Sequence, residues 1–375
     1  MRRSGSRPRP AGLFLGVVAV SVVFSIAGAF SVLAVVLSIT VPIKAADASQ
    51  STLPQEATPI RPHDSLITEP DAGTGPLDAL LGSAQRSVDI SMYELADPKA
   101  ESILAADASR GVRVRMVLDQ HQERAHNQAA FGYLTARGVA VHWAPAADNT
   151  FHIKCICVDA TRCAVMTLNL VSRYYATTRD FAVVDSDPAD VTAIEQTFAG
   201  DFAGHPAVPP PATDLVWSPG STAALADLIA GANRTLLVYN EELRDPTTVD
   251  ALASAARRGV RVELVMTYQP FWVQNFGALA TAGARVHVLY GEHPVYVHAK
   301  MIWVDGQRVF LGSENLSTAS LVWNRELGLI STDPAIVRAT EQTFEHDAAE
   351  APIWPVRHGP RGTRTPGSTR SVAGA

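Results

Sequence analysis

Apolar positions along the chain fall into three regimes. Residues 11–43 form an uninterrupted apolar run without a single charge, and at about 1.5 Å per helical residue it is long enough to cross a bilayer with tilt or overhang. Residues 76–350 alternate short β-branched and aromatic runs with helix-like stretches, whereas from Gly359 onward Gly, Pro, Ser, Thr and Arg dominate, the composition of a disordered tail. Within the middle regime, strands are predicted over 88–93 and 112–118. They bracket a helix that opens at Asp97-Pro98 and closes at Arg110-Gly111. The Asp can cap that helix, the Pro can take its first position, and the Gly can end it with positive φ.

The same strand, helix, strand pattern recurs 148 residues later, with Asp245-Pro246, Arg258-Gly259 and strands over 236–240 and 260–266. Further on, residues 138–143 answer 283–288. At an offset of 146, Glu195-Gln196-Thr197-Phe198 answers Glu341-Gln342-Thr343-Phe344. A near-constant offset means duplication. Alternating strands and helices predict an α/β fold built as two tandem repeats with mixed sheets covered by helices. We place the first repeat at 76–210 and the second at 211–350, with a hinge at Pro206 to Pro211. Residues 45–75 read as a polar tether, and 351–375 as a disordered tail.

Charge is unevenly distributed. Residues 1–44 carry five basic and no acidic side chains, and residues 351–375 carry four basic and none acidic. Of 31 basic residues this leaves 22 against 37 acidic ones, a net of −15 for 45–350. So acidic a body is a poor non-specific ligand for nucleic acid, although Arg110, Arg113, Arg115, Arg257, Arg258 and Arg261 are candidates for a local basic groove. Arg2, Arg3, Arg7 and Arg9 ahead of the apolar run place residues 1–44 as a cytoplasmic basic stub and membrane anchor. Two small-residue triplets, Ala27-Gly28-Ala29 and Ala46-Asp47-Ala48, offer cleavage sites for a signal sequence instead. An uncleaved anchor is the favoured reading, and either one exports the domain that follows. Cys155, Cys157 and Cys163 are too few for a disulfide scaffold and are read as small buried strand residues. A cross-strand Cys157–Cys163 bridge is the alternative.

Each repeat carries one constellation of chemistry-bearing residues. The first is His152, Lys154 and Asp159, then Thr167-Leu168-Asn169, then Arg179-Asp180; the second is His298, Lys300 and Asp305, then Gly312-Ser313-Glu314-Asn315, then Arg325-Glu326. Residues i and i+2 on a strand share a face, so each His and Lys project together. A turn near Asp159 or Asp305 would bring Asn169 or Asn315 back beside them. Imidazole, ammonium and amide suit a phosphodiester: the donors hold the phosphoryl oxygens, one imidazole attacks phosphorus, and the other protonates the leaving oxygen. Lysine usage sharpens the pattern. Only Lys44, Lys99, Lys154 and Lys300 occur against 27 arginines, and two of the four follow a histidine by two residues in register.

These paired His-x-Lys-x4-Asp motifs, each followed by a Ser/Thr-x-Asn element, resemble those of the phospholipase D superfamily over residues 76–350. The resemblance implies two αβα repeats packed about a pseudo-twofold axis and metal-independent catalysis without a cofactor. It also implies a catalytic set of His152, Lys154, Asp159, His298, Lys300 and Asp305, with His152 as nucleophile, His298 as general acid and base, and the two aspartates supporting. Lys154, Asn169, Thr167, Lys300, Asn315 and Ser313 are implied to grip phosphate, and Asp180 and Glu326 to orient a histidine. Met166 departs from the family glycine, which Gly312 keeps.

Outside these motifs, His121, His126, His142, His287 and His293 read as structural residues. A zinc site from His287, His293 and His298 lacks a further ligand at suitable spacing. Residues 268–276, including Phe271-Trp272, form either a packed loop or an acyl-chain entrance, and Tyr174, Tyr175 and Trp323 are candidates for a pocket mouth or for core. The expected activity is hydrolysis of phospholipid headgroups by a monomer anchored through its N-terminal helix. The alternatives are a cardiolipin-synthase-like transferase, a nuclease of the same superfamily, and an inactive binding module.

Overall fold

A computed structural model of the chain describes residues 64–146, 149–206, 208–210, 214–291 and 294–355. The first repeat supplies strands β1 (Ser65–Glu69), β2 (Ser87–Met92), β3 (Arg113–Leu118), β4 (Ala140–Trp143), β5 (Lys154–Val158), β6 (Arg162–Met166) and β7 (Thr178–Asp185). The second supplies β8 (Leu215–Ser218), β9 (Thr235–Tyr239), β10 (Arg261–Thr267), β11 (Arg285–Leu289), β12 (Met301–Val304), β13 (Arg308–Gly312) and β14 (Glu326–Ser331). The sheets share one topology: β1-β7-β6-β5-β2-β3-β4 matches β8-β14-β13-β12-β9-β10-β11. In each, the β2–β3 or β9–β10 pair is parallel and the β5–β6 or β12–β13 hairpin antiparallel. The mixed α/β expectation therefore holds.

Local chemistry accounts for the helices. In the helix Pro98–Ser109, the Asp97 side chain accepts from the Lys99 and Ala100 amides. In the helix Pro246–Arg257, Asp245 does the same for the Thr248 amide. Gly111 and Gly259 follow these helices at φ 91° and 92°, a conformation side chains with a Cβ resist.

Each sheet is buried on both faces, which explains its near-continuous apolar strands. One face packs under helices of its own repeat, with Leu104, Leu134, Ile90 and Met116 in the first and Leu252, Phe276, Leu264 and Val238 in the second. The other face meets the opposite repeat in a shared core that includes Phe181, Val183, Tyr239, Leu327 and Phe344. Buried ion pairs stitch that core crosswise. Arg179 on β7 pairs with Asp347 of the helix Pro334–Glu350 at 2.7 and 3.0 Å, and Arg325 pairs with Asp201 of the helix Pro188–Phe202 at 3.2 and 3.0 Å.

Three expectations need correction. Ser65–Glu69 lies in the stretch read as tether but forms an edge strand whose Ile67 is buried, in antiparallel register with β7. At the other end, Trp354 N donates to Val286 O and Val288 N to Pro352 O, so residues 351–355 dock on β11 rather than belonging to a loose tail. Finally, Cys157 and Cys163 face one another in the β5–β6 register and are joined as a disulfide, leaving Cys155 as a buried free thiol. Among the described residues no helix is long and apolar enough to cross a membrane; the apolar run over 11–43 lies outside them.

Candidate active site

The two strand pairs β2–β5 and β9–β12 end at the same cleft. His152 and His298 sit just ahead of β5 and β12, and each is tied by its backbone to the opposite repeat. The Arg325 carbonyl accepts from His152 N at 2.8 Å, and the Arg179 carbonyl accepts from His298 N at 3.3 Å and Ala299 N at 2.9 Å. Phe151 bridges Arg325, and Tyr296–Val297 pairs with Thr178–Arg179 in the mirror arrangement. The chain thus threads both motifs through the repeat interface.

Side chains continue the exchange. His152 Nδ1 lies 2.7 Å from Glu326 Oε2, and His298 Nδ1 lies 2.9 Å from Asp180 Oδ1. Each imidazole is therefore oriented by the acid of the other repeat, which points its Nε2 toward the cleft. Ser320 Oγ and Asn324 Nδ2 donate to Glu326 Oε1 at 2.5 and 3.1 Å, and Thr167 Oγ1 donates to Asp180 Oδ1 at 2.5 Å. Burial opposes the charge on Glu326, but His152 and Lys154 outweigh it and hold the carboxyl below its ordinary range.

Both lysines are fully buried. Lys154 Nζ donates to the His152 carbonyl at 2.8 Å and stands 4.8 Å over the Tyr93 ring. Lys300 Nζ donates to the His298 carbonyl at 2.6 Å and to Glu241 Oε2 at 3.0 Å. Desolvation, reinforced by the nearby Lys300 charge, brings Lys154 down to about 7. Desolvation likewise lowers His152 against the pull of Glu326, which favours its free base. Because Lys154 loses its proton as pH rises through about 7, affinity for dimethyl phosphate, a monoanion throughout, is expected to fall by up to about tenfold per pH unit above that point. Calorimetric titration from mildly acid to alkaline pH measures this, and a flat profile contradicts it.

The cleft holds a cavity of about 500 Å³ lined by both histidines, Asn169 and Asn315, and by Tyr93 and Glu241 at the carboxyl ends of β2 and β9. Oδ1 of Asn169 and of Asn315 is buried without a hydrogen-bond partner among the described residues. Two imidazoles and two amides thus converge on one space sized for a phosphoryl group and its substituents, with both ammonium groups beneath.

Residues 77–202 and 225–348 each match the family described as cardiolipin synthase, phospholipase D-like domain. The chain belongs to this phospholipase D-like family. Over 186 residues it is 31% identical to a mitochondrial cardiolipin hydrolase of Xenopus tropicalis, covering 48% of this chain and 82% of the relative. Over 128 residues it is 27% identical to the major cardiolipin synthase ClsA of Bacillus subtilis, covering 32% and 26%. Among solved structures, a phosphatidylserine synthase of Haemophilus influenzae superposes with a TM-score of 0.60 at 13% identity, covering 77% of this chain and 87% of the other, a likeness of fold.

Not every expected member of the phospholipase D-like site reaches the cavity. Asp159 and Asp305, grouped with the catalytic residues, lie at the far tips of the hairpins, about 15 Å along the strand from the lysines. Asp159 accepts from the Gln85, Arg86 and Ser87 amides, and Asp305 from those of Asn233, Arg234 and Thr235. They pin hairpin to sheet. Thr167 and Ser313, expected on phosphate, are buried behind the cleft: Thr167 supports Asp180, and Ser313 Oγ accepts from Leu327 N at 3.1 Å. Met166 packs opposite Ala182 in the apolar core. Gly312 must stay small, because a Cβ there would overlap Gly328 Cα.

Of the histidines read as structural, His287 lies buried 3.0 Å from Glu263, His126 lies 2.5 Å from Glu123, and His142 stacks on Phe202. His121 Nε2 lies 3.4 Å from the Pro145 carbonyl, and His293 lies outside the described residues. Tyr174 and Tyr175 line the cavity, Trp272 and Phe276 are buried, and Phe271 and Trp323 are exposed. Tyr93 and Glu241 were missed as site residues. Their signal was available, since each directly precedes a Glu-Leu pair, Glu94-Leu95 or Glu242-Leu243, just past the end of a matched parallel strand, where α/β sheets bind ligands.

Proposed function

We propose that the chain is a phosphodiesterase of phospholipase D type that hydrolyses phospholipid headgroups through a phosphohistidine. The carrying observation is the crosswise pairing of His152 with Glu326 and of His298 with Asp180 over one cavity that both histidines line, with Lys154 and Lys300 each bonded to the backbone carbonyl of its own histidine. His152 Nε2 attacks phosphorus, the bond to the headgroup oxygen breaks, and that oxygen takes the proton of His298 Nε2. Water then gives a proton to His298 and attacks phosphorus; the P–N bond breaks and phosphatidate leaves. Lys154, Lys300, Asn169 and Asn315 hold the phosphoryl oxygens as charge builds.

Several features support phospholipid over nucleic acid. Five of the six arginines that could have formed a basic groove are engaged elsewhere: Arg110 pairs with Asp107, Arg113 and Arg115 with Asp89, and Arg261 with Glu263, while Arg258 donates to backbone carbonyls. A buried disulfide accords with an exported body held by an N-terminal anchor. Both motifs in one chain allow a monomer over residues 76–350 to act alone. Similarity to cardiolipin synthases favours a second reading, phosphatidyl transfer, in which an alcohol replaces water at the same intermediate.

Detergent-solubilised full-length protein incubated with mixed phosphatidylcholine, phosphatidylethanolamine and phosphatidylglycerol vesicles is expected to release phosphatidate equally with and without chelator. Glycerol added to the assay separates transfer from hydrolysis. Cleavage of single-stranded DNA with no lipid turnover would overturn the proposal.

A further inference from the structure

The two halves of the cavity differ beside the lysines. The offset of 148 that relates Asp97 to Asp245 also sets Glu241 in the place of Tyr93. Tyr93 packs edge-on against His152 at 4.6 Å and lends its face to Lys154. Glu241 instead places Oε2 at 3.0 Å from Lys300 Nζ and 3.6 Å from His298 Nε2, while the Tyr296 hydroxyl donates to Oε1 at 3.1 Å. Lys300 and His298 are the groups that face the phosphoryl oxygens in the reaction proposed above. An anion of the protein's own thus lies in the second half of that seat.

The carboxylate is firmly charged. Burial disfavours its ionised form, but Lys300 and His298 outweigh that and hold it well below the ordinary carboxyl range. Its side chain is also one-quarter exposed, so it has a path out of the seat into the cavity mouth.

We propose that Glu241 is a specificity-determining residue: it is the internal anion that a substrate phosphate displaces from Lys300, and its charge selects monoanionic phosphodiesters over dianionic phosphates. The proposal rests on the cavity being a phosphodiester site. A diester carries one negative charge, whereas inorganic phosphate, a monoester and the phosphatidate left by hydrolysis carry up to two. Like charges a few Å apart in a largely desolvated site repel far more strongly than in water, so the second charge meets the larger penalty. Diester substrates enter, and the dianionic product is helped to leave.

The test compares wild type with Glu241→Gln by calorimetric titration at about pH 8, using inorganic phosphate as the dianion and dimethyl phosphate as the monoanion. Glu241→Gln is expected to tighten inorganic phosphate by roughly tenfold or more and dimethyl phosphate by a clearly smaller factor. Unchanged affinities, or equal gains for both probes, overturn the proposal. Glu241→Ala, which deletes the carboxylate without leaving an amide, is expected to show the same order, and whichever variant melts as wild type does decides the matter. Both readouts report binding alone, so the selectivity can stand even where vesicles show no phospholipid hydrolysis, and it can fail where they do.

Discussion

His152→Ala is expected to lower phosphodiester turnover by about four orders of magnitude or more, the scale seen when a covalent nucleophile is removed. It is also expected to abolish any acid-labile phosphoryl label on the protein. His298→Ala should behave differently. With an aryl phosphodiester, whose leaving group needs little protonation, label should still form at His152 and then accumulate, because no base remains to activate water. The structure gives a reason for assigning the roles this way round. His152 is desolvated, lies against the Tyr93 ring, and has its basicity lowered, so the free base is the accessible form. His298 instead stands between two carboxylates, Asp180 Oδ1 at 2.9 Å from Nδ1 and Glu241 Oε2 at 3.6 Å from Nε2, which brace a ring that hands protons on. Rapid quench with a labelled substrate reads both variants. Label retained in His152→Ala, or lost from His298→Ala, reverses the roles.

Much of this arrangement was legible in the sequence because duplication repeats every signal. Asp-Pro caps, Arg-Gly ends and the His-x-Lys pairs recur in register, and each is a local chemical statement that survives folding. The crosswise partnership was not legible. Asp180 follows His152 by the same interval at which Glu326 follows His298, so spacing alone fits a same-repeat pairing equally well, and only the interface between sheets shows the exchange. Thr167 and Ser313 were misplaced for a related reason: β6 and β13 end at Met166 and Gly312, and past a strand end, alternation no longer says which side chain faces the cleft. The disulfide depends on hairpin register, which is set by the residues of the tight turn at Asp159 and Ala160. Ser65–Glu69 escaped notice because a five-residue edge strand in a polar, proline-containing stretch carries only two strongly apolar residues.

The duplication has also diverged in ways that suit two unequal jobs. Met166, Leu168 and Ala182 fill the space behind the first Asn, where the second repeat has Gly312, Glu314 and Gly328. Glu314 is wholly buried there, and desolvation together with the nearby Glu326 charge raises its pKa well above the ordinary carboxyl value, so it is held neutral. The acid that serves His152 is therefore backed by a protonated carboxyl, whereas the acid that serves His298 has apolar residues in the matching place. Tyr93 against Glu241 is the same kind of divergence on the cavity side.

That inequality sets the second large effect. Glu326→Gln keeps the shape of the side chain but changes which atoms donate. Ser320 Oγ and Asn324 Nδ2 both donate to Oε1, so they select the amide oxygen on their side and turn its NH2 toward His152 Nδ1. Nδ1 must then accept, the neutral ring carries its proton on Nε2, and the lone pair needed for attack on phosphorus is lost. Formation of the phosphohistidine is expected to slow by about 10²–10⁴-fold, by analogy with tautomer loss in a histidine triad, while the binding of dimethyl phosphate changes little. Asp180→Asn keeps the tautomer. Thr167 Oγ1 donates to Oδ1, the same atom that faces His298 Nδ1, so the amide oxygen stays there and still accepts from Nδ1, and only the charge that strengthens the imidazolium is lost. Its cost in the same step is therefore expected to be smaller, about tenfold. Single-turnover measurement of phosphoenzyme formation compares the two directly. Equal losses, or a larger one for Asp180→Asn, would mean that the acids act only as structural pegs or that the two histidines have exchanged tasks.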